Sequence, residues 1–63
     1  MSLREEMVRY RAKERISQSE LARRCGLSLQ TINSIENENQ TPSELTLMKI
    51  KMVLEEEKEN AEN

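Results

Sequence analysis

Ser17-Gln18-Ser19-Glu20-Leu21-Ala22-Arg23-Arg24-Cys25-Gly26-Leu27-Ser28-Leu29-Gln30-Thr31-Ile32-Asn33-Ser34-Ile35-Glu36-Asn37 reads as two short helices joined by a tight turn. Ser17 followed three residues later by Glu20 fits a capping box. It opens a helix from Gln18 to Cys25, with Leu21, Ala22 and Cys25 on one face. Gly26, the only glycine, stands where a helix ends in a left-handed residue. Ser28 caps a second helix, Leu29 to Asn37, with Ile32 and Ile35 inward. The small Ala22 allows the two helices to approach closely.

Outward from this pair, Leu3, Met7, Val8, Tyr10 and Ala12 recur at helical spacing, so a helix is expected from Leu3 to Glu14. Ser2 is its N-cap, with Glu5 and Glu6 in the first turn. Downstream, Asn37-Glu38-Asn39-Gln40-Thr41 is a polar loop. Thr41 or Ser43 can cap a last helix, and Pro42 suits a first turn. That helix is expected to run through Leu54, with Leu47, Ile50 and Leu54 as its inward stripe. Residues 1–54 form the expected domain and residues 55–63 an acidic, disordered tail.

Composition limits what such a chain can do. It has 63 residues, one Tyr, no Phe and no Trp. A core of Leu, Ile, Val and Met suits compact helices, and one Gly and one Pro leave few turns for an all-β fold. Without His there is no imidazole base or imidazole metal ligand. Neither a disulfide nor a zinc site can be built from Cys25 alone. No nucleophile–base pair or sizeable pocket is in prospect, so no enzyme, cofactor, metal or small-molecule ligand is expected. A lone cysteine, no leader and no apolar run of roughly 18 residues set the expectation of a cytoplasmic protein with no membrane contact.

The net charge of −2 is unevenly spread. Residues 1–25 carry seven Arg/Lys against four Glu, whereas residues 26–63 carry three Lys against eight Glu. Five of those eight glutamates fall in the last nine residues. A mildly basic body therefore precedes an acidic end.

The two central helices make a helix-turn-helix by geometry. The outward face of the second, Leu29, Gln30, Asn33, Ser34 and Asn37, is almost wholly polar and uncharged. Amides and hydroxyls of this kind can read base edges in a major groove. Ser17-Gln18-Ser19-Glu20-Leu21-Ala22, Cys25-Gly26-Leu27-Ser28, Thr31-Ile32-Asn33-Ser34-Ile35-Glu36-Asn37 and Pro42-Ser43 resemble the phage repressor and Cro-like (XRE-type) family of DNA-binding domains, over about residues 3–54. The resemblance implies an all-α, lambda-repressor-like domain of four or five helices. It implies a dimer on a near-palindromic operator in double-stranded DNA, with the second helix of the motif in the major groove.

By the same resemblance Leu29, Gln30 and Ser34 fall on base-facing positions, with Asn33 beside them. Gln18 falls on a phosphate-contacting position, which its place at a helix N-terminus favours independently. Ser17, Ser28, Asn37, Asn39 and Thr41 are further expected phosphate contacts, and Arg11 and Glu36 match a structural ion pair. Arg15 and Glu38 stand where the family often has Gly, and Asn39, Gln40 and Thr41 replace basic residues. Fewer cations there should weaken non-specific binding. Nothing after Leu54 has the apolar pattern of a fifth helix, so four are expected.

Arg23 and Arg24 read by default as a solvated basic pair. Leu45, Met48, Met52 and Val53 exceed what one inward stripe can bury, so they are expected to form a homodimer interface. The leading expectation is a transcriptional repressor acting by occupancy. The competing one is a protein-interaction module of the same fold, such as an antitoxin or antirepressor.

Overall fold

The computed structural model describes residues 2–62, with side chains described for residues 2–55. The architecture is all-α. Its four helices are α1 (Leu3–Glu14), α2 (Gln18–Cys25), α3 (Leu29–Glu36) and α4 (Glu44–Glu62). There is no strand among the described residues.

Local chemistry sets the helix starts. Ser2, Ser17 and Ser28 have extended backbones, and each hydroxyl accepts the N–H of the third residue on: Glu5, Glu20 and Thr31. Ser43 plays the same part for α4, taking the Thr46 N–H at 3.3 Å and the Leu47 N–H on its carbonyl at 2.8 Å. Ser43, not Thr41, is thus the cap, and Pro42 precedes it instead of lying in the first turn.

The ends of the first three helices share one device. Arg15, Gly26 and Glu38 are left-handed, with φ of 57°, 70° and 58°. One residue beyond each, the N–H of Ile16, Leu27 and Asn39 reaches back to the carbonyl of Arg11, Ala22 and Ser34 at 2.9–3.1 Å. This six-residue closure satisfies a carbonyl that the helix leaves open and turns the chain sharply. It fixes the short connection between α2 and α3.

Met7, Tyr10, Leu21, Ala22, Cys25, Ile32, Ile35 and Ile50 form the buried core. Leu3, Ile16, Leu27, Val53 and Leu54 pack against its rim. Val8 and Ala12 turn outward from α1, because Met7 and Tyr10 set its inward face. The most extensive helix contact is α2 on α3, while α1 and α4 close the core around that pair.

Two expectations about α4 need correction. Val53 lies three residues beyond buried Ile50, hence on the same side of the helix, and packs on the core. It is not part of the exposed stripe. The helix also continues past Leu54 to Glu62. Glu, Lys and Ala dominate that segment and are good helix formers, and no Gly or Pro interrupts them. The expectation of a disordered segment over residues 55–63 includes Asn63, which lies outside the described residues.

Candidate nucleic-acid interface

α3 offers an outward surface because its inward one is fully used. Ile32 and Ile35 point into the core, while Leu29, Gln30, Asn33 and Asn37 are exposed and Ser34 is half-buried. Leu29 is 48% exposed at the start of the helix. The four residues expected to read bases are therefore on or beside one helix face.

A buried carboxylate holds this helix in place. Glu36, 7% exposed, accepts from Arg11 Nη1 at 2.9 Å and from Gln18 Nε2 at 3.0 Å, both on Oε1. Its backbone carbonyl accepts from Arg4 Nε at 2.8 Å. One residue of α3 thus binds two arginines of α1 and an amide of α2. Arg11 and Glu36 form an ion pair at 2.9 Å, and Gln18 and Arg4 add to it. Arg4 also puts a cation at the C-terminal end of α3, where the helix dipole favours positive charge.

The residues expected to contact phosphate divide into two groups. Ser17 and Ser28 spend their hydroxyls on capping α2 and α3, at 3.1 Å each, and Ser28 also bonds the Thr31 hydroxyl at 2.8 Å. Capping leaves the first backbone N–H groups of each helix outside its ladder, so these ends remain anion-attracting. Asn37, Asn39 and Thr41 are exposed beyond α3. Yet the backbone N–H groups of Asn37, Glu38 and Asn39 are used in closing α3, at 2.9–3.0 Å. At Asn37 and Asn39 it is therefore the side chains, with that of Thr41, that can meet a ligand.

Gln18 is more constrained than its position suggests. Besides bonding Glu36, its Oε1 accepts from Asn33 Nδ2 at 3.1 Å, and Asn33 Oδ1 accepts from Asn37 Nδ2 at 3.0 Å. Sequence spacing links Asn33 to Asn37 on one helix turn, but the bond from α2 to α3 requires the turn geometry.

Arg23 and Arg24 are exposed, and both also pair with an acidic neighbour. The Glu20 carboxylate bonds both, with Arg23 Nε at 2.9 Å and Arg24 Nε at 3.1 Å. Arg24 Nη1 reaches back to α1, to the Tyr10 hydroxyl at 3.0 Å and the Glu14 carboxylate at 3.1 Å. The capping box is accordingly half-made: Ser17 accepts from the Glu20 N–H, but the Glu20 side chain turns to the arginines. Hydrogen bonds from Arg23, then Arg24, hold the Glu20 carboxyl down at about 2. In return Arg24 is pushed up, first by the Tyr10 hydroxyl and then by Glu14 and Glu20. Burial raises the Cys25 thiol, leaving it a core side chain.

On α4, Leu45, Met48 and Met52 are 63%, 59% and 67% exposed. At 100° per residue they share one stripe opposite Ile50. Among the described residues no group of three His, Cys, Asp or Glu could hold a metal ion, and no helix is long and apolar enough to cross a membrane.

Two short capped helices, closed by a left-handed glycine and presenting a polar second helix, define a helix-turn-helix domain. The chain belongs to the helix-turn-helix family of the Cro and phage-repressor (XRE) type, whose family profile matches residues 8–57. That is a family of DNA-binding transcription regulators. No curated protein and no solved structure matches the chain.

Proposed function

We propose that this chain is a sequence-specific repressor that acts by occupying its operator. The carrying observation is the exposed, uncharged face of α3, held to α1 and α2 through buried Glu36. In this reading α3 enters the major groove, where Gln30 pairs with a base edge, Leu29 packs on a thymine methyl and Ser34 lies at the groove wall. Gln18, the N-terminal ends of α2 and α3, and the side chains of Asn37, Asn39 and Thr41 approach the phosphates. The Leu45–Met48–Met52 stripe joins two copies. A dimer would place two α3 helices about one DNA turn apart, roughly 34 Å, on a near-palindromic site.

The test is selection from a random DNA pool at two salt concentrations. The reading expects a two-fold-related motif whose affinity falls steeply with salt, as counterions are released. Recovery of no preferred sequence at either salt would sink it.

The pairing of Arg23 and Arg24 with Glu20 and the loop beyond α3, which carries no Lys or Arg, favour a second reading: a protein-interaction module such as an antitoxin or antirepressor. An apolar partner interface would bind nearly independently of salt, so the same experiment separates the two.

A further inference from the structure

The amide side chains at the α2–α3 joint all point one way. Asn37 Nδ2 donates to Asn33 Oδ1, Asn33 Nδ2 donates to Gln18 Oε1, and Gln18 Nε2 donates to Glu36 Oε1. The distances are 3.0, 3.1 and 3.0 Å. A carboxylate can only accept, so Glu36 decides which end of Gln18 faces it. With its nitrogen toward Glu36, Gln18 turns its oxygen to Asn33. Asn33 must then offer its nitrogen to Gln18 and its oxygen to Asn37. Arg11, bonded to the same Glu36 oxygen at 2.9 Å, keeps that carboxylate in place. Chains of hydrogen bonds that share a direction polarise one another, so each link supports the next.

We propose that Glu36 directs a one-way amide relay through Gln18 and Asn33 to Asn37, and that Asn33 is a positioning residue of the DNA interface instead of a base reader. This rests on the DNA-binding reading above and deepens it. Each polar end of Asn33 is held by a protein neighbour, one on α2 and one just past α3, which fixes the plane of its amide. Gln18, Asn33 and Asn37 each retain a second N–H outside the relay, and the relay sets where those donors point. It links the N-terminal end of α2 to the C-terminal end of α3, the two ends that flank the reading face. Gln30 makes no such bond, and its amide stays available for a base edge.

Two measurements test this. In the free protein, Gln18→Ala should move the side-chain amide resonances of Asn37, which lies on another element and has no direct bond to Gln18. Unmoved Asn37 resonances would show that no relay exists. In the DNA experiment, Asn33→Ala should lower affinity for the selected site by about 5- to 10-fold. It should do so alike for every single-base variant of that site, with the preferred bases unchanged. Gln18→Ala should cost a similar factor, and the double variant little more than either single one. Asn33→Asp should cost more than Asn33→Ala, because a carboxylate still accepts from Asn37 but faces the Gln18 oxygen with another acceptor. A changed base preference at one position in Asn33→Ala would make Asn33 a reader and overturn the assignment. If the unaltered chain selects no DNA, the role in binding falls with the reading it rests on, while the resonance measurement still decides whether the relay exists.

Discussion

Arg15 and Glu38 hold the same left-handed backbone conformation, φ 57° and 58°, at the ends of α1 and α3. Each closes its helix with the same reach-back hydrogen bond that Gly26 makes possible at the end of α2. A side chain at such a position crowds the following carbonyl, and only glycine escapes that cost. Arg15→Gly and Glu38→Gly should therefore each stabilise the domain by about 0.5–1 kcal/mol, after allowing for glycine's greater freedom in the unfolded chain. Gly26→Ala should destabilise by about 1 kcal/mol from the backbone alone, because an added Cβ there meets nothing within 4 Å. Urea midpoints at unchanged slope would measure all three, and a destabilised Arg15→Gly would contradict the backbone argument.

Glu20 predicts how the domain answers acid. Its carboxyl lies at about 2 in the folded chain against an ordinary value of 4.5, chiefly through Arg23 and then Arg24. A carboxyl lowered on folding adds stability that is fully present above about 4.5 and fades as the pH falls toward 2. Glu20→Gln should thus be less stable than the unaltered chain at pH 7, and most of the gap should be lost by pH 2. Thermal melts at the two pH values give the comparison. An equal gap at both would show that Glu20 acts by packing and not by charge.

Glu36 is the residue whose loss should cost most. Truncation to Ala leaves Arg11, Gln18 and the start of the amide relay without their shared acceptor, in a site that is largely closed to water. Breaking a buried ion pair by removing one partner costs about 3–5 kcal/mol. Arg11 keeps some solvent access, its side chain being 24% exposed, which places the expected loss at the lower end, about 3 kcal/mol. In a 63-residue domain that is a large share of the total stability. Circular dichroism melts would show it, and loss of DNA binding by Glu36→Ala has meaning only below its melting point.

What the sequence discloses here is what neighbours along the chain decide. Ser2, Ser17 and Ser28 cap helices through a bond to the third residue on, so their roles follow from spacing. The core set Leu21, Ala22, Cys25, Ile32 and Ile35 follows from helical period. Arg24 is the contrary case. Its partners Tyr10 and Glu14 are on α1, and only the packing of α1 on α2 brings them within 3.1 Å. Glu20 fits a capping box by spacing, but two charged partners outcompete one backbone N–H for its carboxylate. Val53 packs on the core, but α4 carries apolar residues on nearly every side, so period alone cannot say which face turns inward. The link from Gln18 to Asn33 lies beyond local reading for the reason that applies to Arg24.

The stripe on α4 predicts self-association. Leu45, Met48 and Met52 expose most of their surface on one side of a helix whose other side is already committed to Ile50, Val53 and Leu54. Sedimentation at high micromolar concentration without DNA should give twice the 7.4 kDa chain mass. Met48→Glu should return a monomer with unchanged helicity, since Met48 has no part in the core. A monomer from the unaltered chain would remove the homodimer and, with it, the expectation of a near-palindromic site.

Gln30 carries the sharpest prediction about recognition. Its amide lies on the exposed face of α3 and, unlike that of Asn33, is not drawn into the network at the α2–α3 joint. An amide can pair with adenine through both its donor and its acceptor, so its removal should be felt at one base pair. Gln30→Ala should cost about 1–3 kcal/mol at that position, with little change in affinity for unrelated DNA or in salt slope. Stability should hardly move, because Gln30 is exposed and lies outside the buried core. Binding measured across all single-base variants of the selected site decides the matter. A loss spread evenly over every variant would assign Gln30 to general affinity and leave the reading to Leu29 and Ser34.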